Sequence, residues 1–187
     1  MLVNSSKAKG DKAEREAVAY LTEVVPHLVS VAKPQRKLGA GRAEDTGDLW
    51  VFHDAAVQVR NYDLATLGKA IRSAAADSAA QATNGGLPLA LGMVPVPRAK
   101  AGTVRWLACV TDWPQAPVRE PVHFGQVGRM LTWVRDDDGP YGFDARPRTT
   151  RIATLRCTDG GLVWVSPMEA WLEILPSLRA CALSLAG

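Results

Sequence analysis

The stretch that decides the fold is residues 46–60, TGDLWVFHDAAVQVR. It predicts two strands, over residues 48–52 and 56–60, because both are rich in β-branched and aromatic residues. The residues between them, 53–55, are suited to a tight turn. The two strands are therefore predicted to pair as an antiparallel hairpin.

Three polar side chains in this stretch are predicted to meet. Asp48 opens the first strand, and Gln58 and Arg60 lie near the end of the second. Side chains alternate between the two faces of a strand, so Gln58 and Arg60 share one face. An acid, an amide and a guanidinium are thus expected at one end of a small sheet.

The residues before the hairpin predict a helix, a strand and a basic loop. Apolar residues recur with helical spacing over residues 10–25, and Pro26 ends that helix. Residues 27–32, HLVSVA, are typical of a short strand. Residues 33–42 hold four cations, two glycines and no acid, which indicates a flexible basic loop.

The residues after the hairpin continue an α/β pattern. A helix is predicted from Asp63, a suitable N-cap, to about residue 83, and residues 84–86, NGG, end it. Two apolar strands are expected over residues 87–96 and 104–111. The resulting order, αββ(β)αββ, predicts a mixed sheet flanked by helices.

The last third is predicted to be an extension. We place a core domain at 1–112 and a C-terminal extension, packing on it, at 113–187. The pattern over residues 122–135 fits either a helix or a strand. A β-hairpin is expected over residues 152–165, followed by a helix with Ser166 as its N-cap.

Composition narrows the class of protein. The chain has 187 residues, a net charge of +3 and three cysteines without metal-binding spacing, which indicates a reduced, cytoplasmic protein. It has no apolar run of membrane-spanning length, no secretory h-region and no phosphate-loop motif, so neither a membrane nor a nucleotide cofactor is expected. Most of the six tryptophans are expected in the core rather than as base-stacking platforms.

A family resemblance rests on the first helix and on the order of elements. Residues 9–16, KGDKAERE, resemble the opening helix of archaeal-type Holliday junction resolvases, and the basic loop, hairpin, helix and strands follow in the same order. The chain is similar in this respect to the PD-(D/E)XK nuclease superfamily. The resemblance implies a restriction-endonuclease-like fold and metal-dependent hydrolysis of DNA.

The resemblance also implies roles for individual residues. Glu14 and Asp48 match acids that bind Mg²⁺ or Mn²⁺, and Gln58 stands where the family has a third acid. Arg60 stands where the family has lysine; it can stabilise charge on a phosphate but cannot act as a base. Candidates for a displaced carboxylate are Glu44, Asp45 and Asp63.

The expected partner is branched DNA. A four-way junction has two-fold symmetry, so the resemblance implies a homodimer, in a bacterial cytosol or phage-infected cell. The predicted backbone contacts are Lys9, Lys33, Arg36, Lys37 and Arg42. Two alternatives stay open: a DNA-binding or assembly module that has lost the metal, and a nuclease-fold protein that regulates or inhibits another partner.

Overall fold

The protein is an α/β structure with one mixed sheet flanked by helices, as the sequence predicts. The computed structural model describes residues 5–37, 47–97, 99, 104–135, 147–156 and 161–185. The strands are β1 (Gln35–Arg36), β2 (Leu49–Trp50), β3 (Ala55–Val59), β4 (Leu89–Pro95), β5 (Trp106–Val110), β6 (Val122–Phe124), β7 (Ala153–Arg156) and β8 (Leu162–Pro167). Within the described residues these eight strands form one sheet, in the order β1-β2-β3-β4-β5-β8-β7-β6.

In the described ranges, four α-helices and two short 3-10 turns accompany the sheet. The helices are α1 (Ser5–Val24), α2 (Leu67–Asn84), α3 (Val127–Arg135) and α4 (Met168–Leu185), and the 3-10 turns are Leu64–Thr66 and Arg148–Thr150. Among the residues described, none of these helices combines the length and the apolar character needed to span a membrane.

The connections between strands explain why the sheet is mixed. β1, β2 and β3 pair as antiparallel neighbours, whereas β3 and β4 are parallel. A parallel pair needs a crossover, and α2 supplies it. β5 then pairs antiparallel with both β4 and β8. The carboxyl ends of β3 and β4 therefore lie at the same edge as the start of β2.

Each face of the sheet carries its own hydrophobic core. On one face, residues of α1 and α4 such as Leu21 and Trp171 pack on Val57 of β3. On the other face, residues of α2 and α3 such as Ile71 and Met130 form the second core. Strands covered on both sides are expected to be almost entirely apolar. A buried polar residue in β3 is therefore conspicuous.

Gly92 of β4 lets α2 approach the sheet closely. A Cβ atom at this position would lie 2.6 Å from the backbone carbon of Ala74 and 2.7 Å from the carbonyl oxygen of Cys109. Gly92 is also the parallel neighbour of Gln58 in β3. The helix backbone therefore passes directly over this part of β3 and β4, beside Gln58.

The strand predicted over residues 27–32 does not form, and that prediction is wrong. The chain turns instead, because the carbonyl of Val25 accepts bonds from the N–H groups of Leu28 (2.9 Å) and Val29 (3.3 Å). The first strand is β1, which lies in the segment predicted to be a flexible loop. The first hairpin strand is also shorter than predicted, since only Leu49–Trp50 pairs as β2.

The last third adds three strands to the same sheet. The sequence pattern of residues 122–135 fits either a helix or a strand, and the segment contains both, β6 followed by α3. The hairpin of β7 and β8 is confirmed, and its turn at 157–160 lies outside the described residues. Ser166 lies in β8 and its hydroxyl donates to the Pro167 carbonyl (2.9 Å), so it is not the predicted N-cap. The division at residue 112 stays a prediction.

Candidate functional site

The predicted acid, Asp48, is fixed at the end of the β2–β3 pair by the glycine before it. Gly47 has φ of +112°, a conformation that side chains disfavour. A Cβ there would also lie 2.8 Å from the carbonyl oxygen of Val57. The Asp48 N–H donates to that same oxygen (2.8 Å). Glycine is thus required for the chain to bring Asp48 against β3.

The structure brings Asp48, Gln58 and Arg60 together. One carboxylate oxygen of Asp48, Oδ2, accepts hydrogen bonds from Gln58 Nε2 (2.6 Å), from the Val59 N–H (3.0 Å) and from Arg60 Nη1 (3.4 Å). The first two bonds are short enough to hold the carboxylate firmly, and the third is long. The hairpin therefore presents its acid, amide and guanidinium at one point, where alternation predicted them.

Gln58 is the conspicuous polar residue of the core. Its relative exposure is 1%, because α2 crosses the sheet at Gly92 beside it. Its Oε1 atom is buried and has no hydrogen-bond partner in the part of the chain that is described. An unsatisfied buried carbonyl oxygen costs about 1–3 kcal/mol. Five other buried polar atoms of the described residues, including Tyr20 Oη and Trp171 Nε1, also have no partner, so the position of Gln58 beside Asp48 is what distinguishes it.

A second acid shares the Arg60 guanidinium. Asp77 of α2 accepts from Arg60 Nη2 (2.6 Å) and Nε (3.1 Å) through its Oδ2 atom. The side chains of Arg60 and Asp77 are 29% and 41% exposed, so this ion pair lies at the surface. Asp77 was missed from the sequence because it follows Arg60 by a helix whose orientation only the fold determines.

Glu14 approaches the site from α1, on the opposite face of the sheet. Its carboxylate accepts from Arg36 Nε, and Arg36 Nη2 bonds Asp11 (2.6 Å). Burial raises the pKa of Glu14, the hydrogen bond from Arg36 opposes that rise, and the charge of Asp48 adds to it. The two acids thus influence each other, although they are held by different partners.

The predicted ligands of a metal ion are therefore unequally placed. Asp48 and Gln58 are in direct contact, whereas Glu14 is engaged by Arg36. The described residues contain no cluster of three or more histidine, cysteine, aspartate or glutamate side chains arranged to hold a metal ion. Glu44 and Asp45, named as displaced carboxylates, lie outside the described residues, and Asp63 is exposed beside Lys9 (3.8 Å).

The predicted DNA contacts have different environments. Lys9 and Lys33 are exposed. Arg36 is engaged by two carboxylates of α1, which reduces its capacity to bind a phosphate. Lys37 donates its backbone N–H to the Asp48 carbonyl (2.7 Å), and its ammonium lies 4.8 Å from the ring centre of Trp50. Arg42 lies outside the described residues.

Comparison with protein-family models, with curated proteins and with solved structures gave no match. The site's own chemistry is clear from its geometry. It combines a firmly held carboxylate, an unsatisfied buried amide oxygen and a guanidinium, beside a lysine at a surface edge. Such a set can bind a cation through its oxygens and an anion through its nitrogens.

Proposed function

We propose that the protein is a metal-dependent endodeoxyribonuclease selective for branched DNA, resembling a Holliday junction resolvase. The observation that carries this proposal is the convergence of Asp48, Gln58 and Arg60 at one end of the β2–β3 hairpin. The resemblance of the sequence to the resolvases implies a catalytic acid at Asp48 and a phosphate-stabilising cation at Arg60.

The order of elements supports the same proposal. A helix precedes three antiparallel strands, and a crossover helix then leads to a fourth strand parallel to the third. This agrees with the order αββ(β)αββ that the resemblance implies, with the first strand moved to Gln35–Arg36. We propose on this basis that the mixed sheet and its helices form a restriction-endonuclease-like fold.

The donor atoms fit a hard divalent cation if the Gln58 amide turns over. In the structure Nε2 lies 2.6 Å from Asp48 Oδ2 while Oε1 is unpartnered. A half-turn of the amide would exchange the two atoms and set two oxygens side by side. Two oxygens so placed would suit Mg²⁺ or Mn²⁺, which prefer oxygen ligands. Asp48 and Gln58 would then hold the ion, whereas Glu14, engaged by Arg36 on the other face of the sheet, stays a predicted ligand.

The roles of the residues follow from their charges. When bound, Mg²⁺ or Mn²⁺ would supply an activated water and neutralise charge on the attacked phosphate. Asp48 holds the site's negative charge, and Gln58 adds an oxygen without charge. Arg60, always protonated, stabilises the negative charge that develops on the phosphate and leaves proton abstraction to solvent. Lys37 lies beside Asp48 at the surface and can position the DNA backbone.

The proposed activity also has consequences for the oligomeric state, the cellular location and the DNA contacts. The two strands to be cut in a four-way junction are related by two-fold symmetry, so we propose a homodimer acting in the cytoplasm. Lys9, Lys33 and Lys37 would contact phosphates without reading sequence.

The test is cleavage of labelled DNA by the purified protein. A four-way junction and a linear duplex of the same sequence are each incubated with Mg²⁺, with Mn²⁺ and with chelator. We expect paired, symmetric nicks in the junction that need the cation and vanish in Asp48→Ala. The matched control is Asp112→Ala, an exposed aspartate just beyond β5, at the opposite end of the sheet. No cleavage by wild type in either metal would overturn the enzymatic proposal.

One observation favours a second candidate, a DNA-binding module without catalysis. Asp48 Oδ2 already accepts three N–H donors, one of them from the cationic Arg60. Its charge is therefore compensated by protein groups where an active nuclease would use a metal. Junction binding that is equally tight in chelator and in Mg²⁺, with no nicks, would establish this candidate instead.

A further inference from the structure

Trp50 differs from the other tryptophans of the chain. Its side chain is 38% exposed, whereas the remaining five are buried or half-buried. Those five each lie near another aromatic ring, as with Trp171 and Phe52 at 6.2 Å. An exposed indole offers a broad ring face on which a ligand can stack.

The register of the hairpin places Trp50 beside the candidate site. Asp48 and Trp50 are two residues apart on one strand, so they project from the same face, about 7 Å apart. β1 sets Gln35 opposite Trp50, and the next step sets Lys37 opposite Asp48, where its N–H donates to the Asp48 carbonyl. Residues opposite each other share a face. Lys37, Asp48 and Trp50 therefore form one continuous surface.

This surface is suited to a single-stranded polyanion. The Lys37 ammonium lies 4.8 Å from the centre of the Trp50 ring. Lys33, a further cation of the same segment, is exposed, whereas Arg36 is engaged by Asp11 and Glu14. An aromatic face next to cations is how proteins bind unpaired nucleotides, since every base can stack and every phosphate is negative. A paired duplex has no exposed base face and would leave the indole unused.

We propose that Trp50 and Lys37 form a platform for one unpaired base of a DNA strand whose backbone runs past Asp48. This rests on the proposed function and narrows its substrate class to branched DNA that carries an unpaired nucleotide at the branch, beside the cleaved phosphate. Stacking of a base on indole is a stronger interaction than an exposed cation–π contact. The base displaces the Lys37 ammonium from the ring, and the ammonium moves to the neighbouring phosphate.

The test measures binding of a labelled thymidine oligonucleotide of roughly 12 residues, in chelator so that no cleavage interferes. Fluorescence anisotropy gives affinity, and tryptophan emission reports stacking on the indole. We expect strong quenching in wild type and a roughly tenfold loss of affinity in Trp50→Ala. Trp50→Phe should keep affinity within about threefold, since the phenyl ring still stacks, but should lose the quenching. Trp164→Phe, in β8, is the matched control and should keep both.

The outcomes separate this inference from the nuclease proposal. Trp50→Ala binding the oligonucleotide as wild type does would overturn the platform, even if the junction is still cut. Equal losses for oligonucleotide and for blunt duplex would also overturn it, because stacking serves unpaired bases alone. Tighter binding of the matching uridine RNA would overturn the assignment to DNA. If quenching depends on Trp50 but the protein cleaves no DNA, the platform is supported and the nuclease proposal is overturned.

Discussion

Two arginine–aspartate networks lie at opposite ends of the β2–β3 pair. The site network consists of Asp48, Gln58, Arg60 and Asp77. The turn network consists of Leu28, Ser30, Asp54 and Arg179, and it ties α4 to the turn between the two strands. Both use the same ion pair chemistry, yet their degree of satisfaction differs.

The turn network is nearly saturated. Arg179 binds both oxygens of Asp54 (2.6 and 2.8 Å) and the Leu28 carbonyl (2.8 Å), and its guanidinium lies 5.5 Å from the Phe52 ring. Burial alone would raise the pKa of Asp54, but the hydrogen bonds and charge of Arg179 lower it overall. Such a fork-like pair stabilises a structure and leaves little capacity for a ligand.

The site network is more exposed and leaves one buried oxygen without a partner. Arg60 donates to Asp48 (3.4 Å), to the Val59 carbonyl (3.1 Å) and twice to Asp77, but Asp77 is 41% exposed. Gln58 Oε1 is buried without a partner in the described chain. Unsatisfied groups and strained contacts concentrate where a protein binds or reacts. The two networks therefore differ in the exposure of their acids and in the unpartnered Gln58 oxygen, not in the number of hydrogen bonds that each arginine makes.

The largest expected effect comes from breaking the packing that buries Gln58. Gly92→Ala places a methyl group 2.6 Å from the Ala74 backbone, which a rigid helix cannot easily avoid. We expect a loss of about 3 kcal/mol in the free energy of unfolding, measured by urea denaturation. Gly125→Ala, where a Cβ would contact nothing within 4 Å, is the control and should change stability by less than about 0.5 kcal/mol. A Gly92→Ala protein as stable as this control would contradict the close approach of α2.

The next effect compares the two arginines directly. Arg179→Met leaves Asp54, whose side chain is 14% exposed, without its main partner, so we expect a loss of about 2–3 kcal/mol. Arg60→Met should cost about 1 kcal/mol or less, because its Asp77 partner is far more exposed. Urea denaturation measures both, with the exposed Arg129→Met as a control. Equal losses at Arg60 and Arg179 would remove the distinction between the networks.

Replacing Gln58 by an acid tests whether the site network, unlike the turn network, can bind a cation. Gln58→Glu adds a buried carboxylate beside Asp48, so stability in chelator should fall through repulsion and desolvation. A divalent cation should reverse this, raising the free energy of unfolding by about 2.7 kcal/mol once its concentration is about 100-fold above Kd. Thermal melts with and without Mn²⁺ measure the shift. Gln126→Glu adds the same charge at the surface and should not respond; an identical response there would indicate non-specific binding.

How far the sequence could predict this molecule depended on the range of the interactions involved. The strands around Val57 and the meeting of Asp48 with Gln58 follow from two-residue alternation, which is local. β1 could not be predicted, because HLVSVA has the better strand composition and yet its backbone is used by turns from Val25. The partners Asp77 and Arg179 are separated from the hairpin by helices, so only the packed fold brings them to its two ends.

The exposed tryptophan was missed for a related reason. The apolar surroundings of Trp50 in the sequence predict burial, and the alternation of β2 does place neighbouring Leu49 in a core. Trp50 lies on the other face, where α2 packs on β3 and β4 but leaves the outer strands uncovered. Whether α2 covers Trp50 depends on how many strands the helix can span, and a local sequence pattern does not contain that information.

The smallest expected effect is on how stability depends on pH, which should differ between the two ends of the β2–β3 pair. The pKa of Asp54 is below its ordinary value of 3.8. Asp54 therefore contributes to the free energy of unfolding above pH 3.8, and this contribution is lost as the pH falls through the lowered pKa. The pKa of Glu14 is above its ordinary value of 4.5, because its burial and the charge of Asp48 outweigh Arg36. The native state then binds the proton more tightly than the unfolded chain, so stability falls as pH rises from 4.5 through the raised value.

Two variants measure separately how Glu14 and Asp54 change the slope of stability against pH. Relative to wild type, Glu14→Gln should flatten the decline just above pH 4.5, and Asp54→Asn should flatten the acid loss below pH 3.8. Each change should be a fraction of the ~1.4 kcal/mol that one full pKa unit carries, because both groups keep some solvent contact. Urea denaturation at closely spaced pH values measures the slopes, which are unaffected by any constant offset from lost hydrogen bonds. If Glu14→Gln steepened the decline, the hydrogen bond from Arg36 would outweigh the burial of Glu14, and the pKa of Glu14 would lie below its ordinary value.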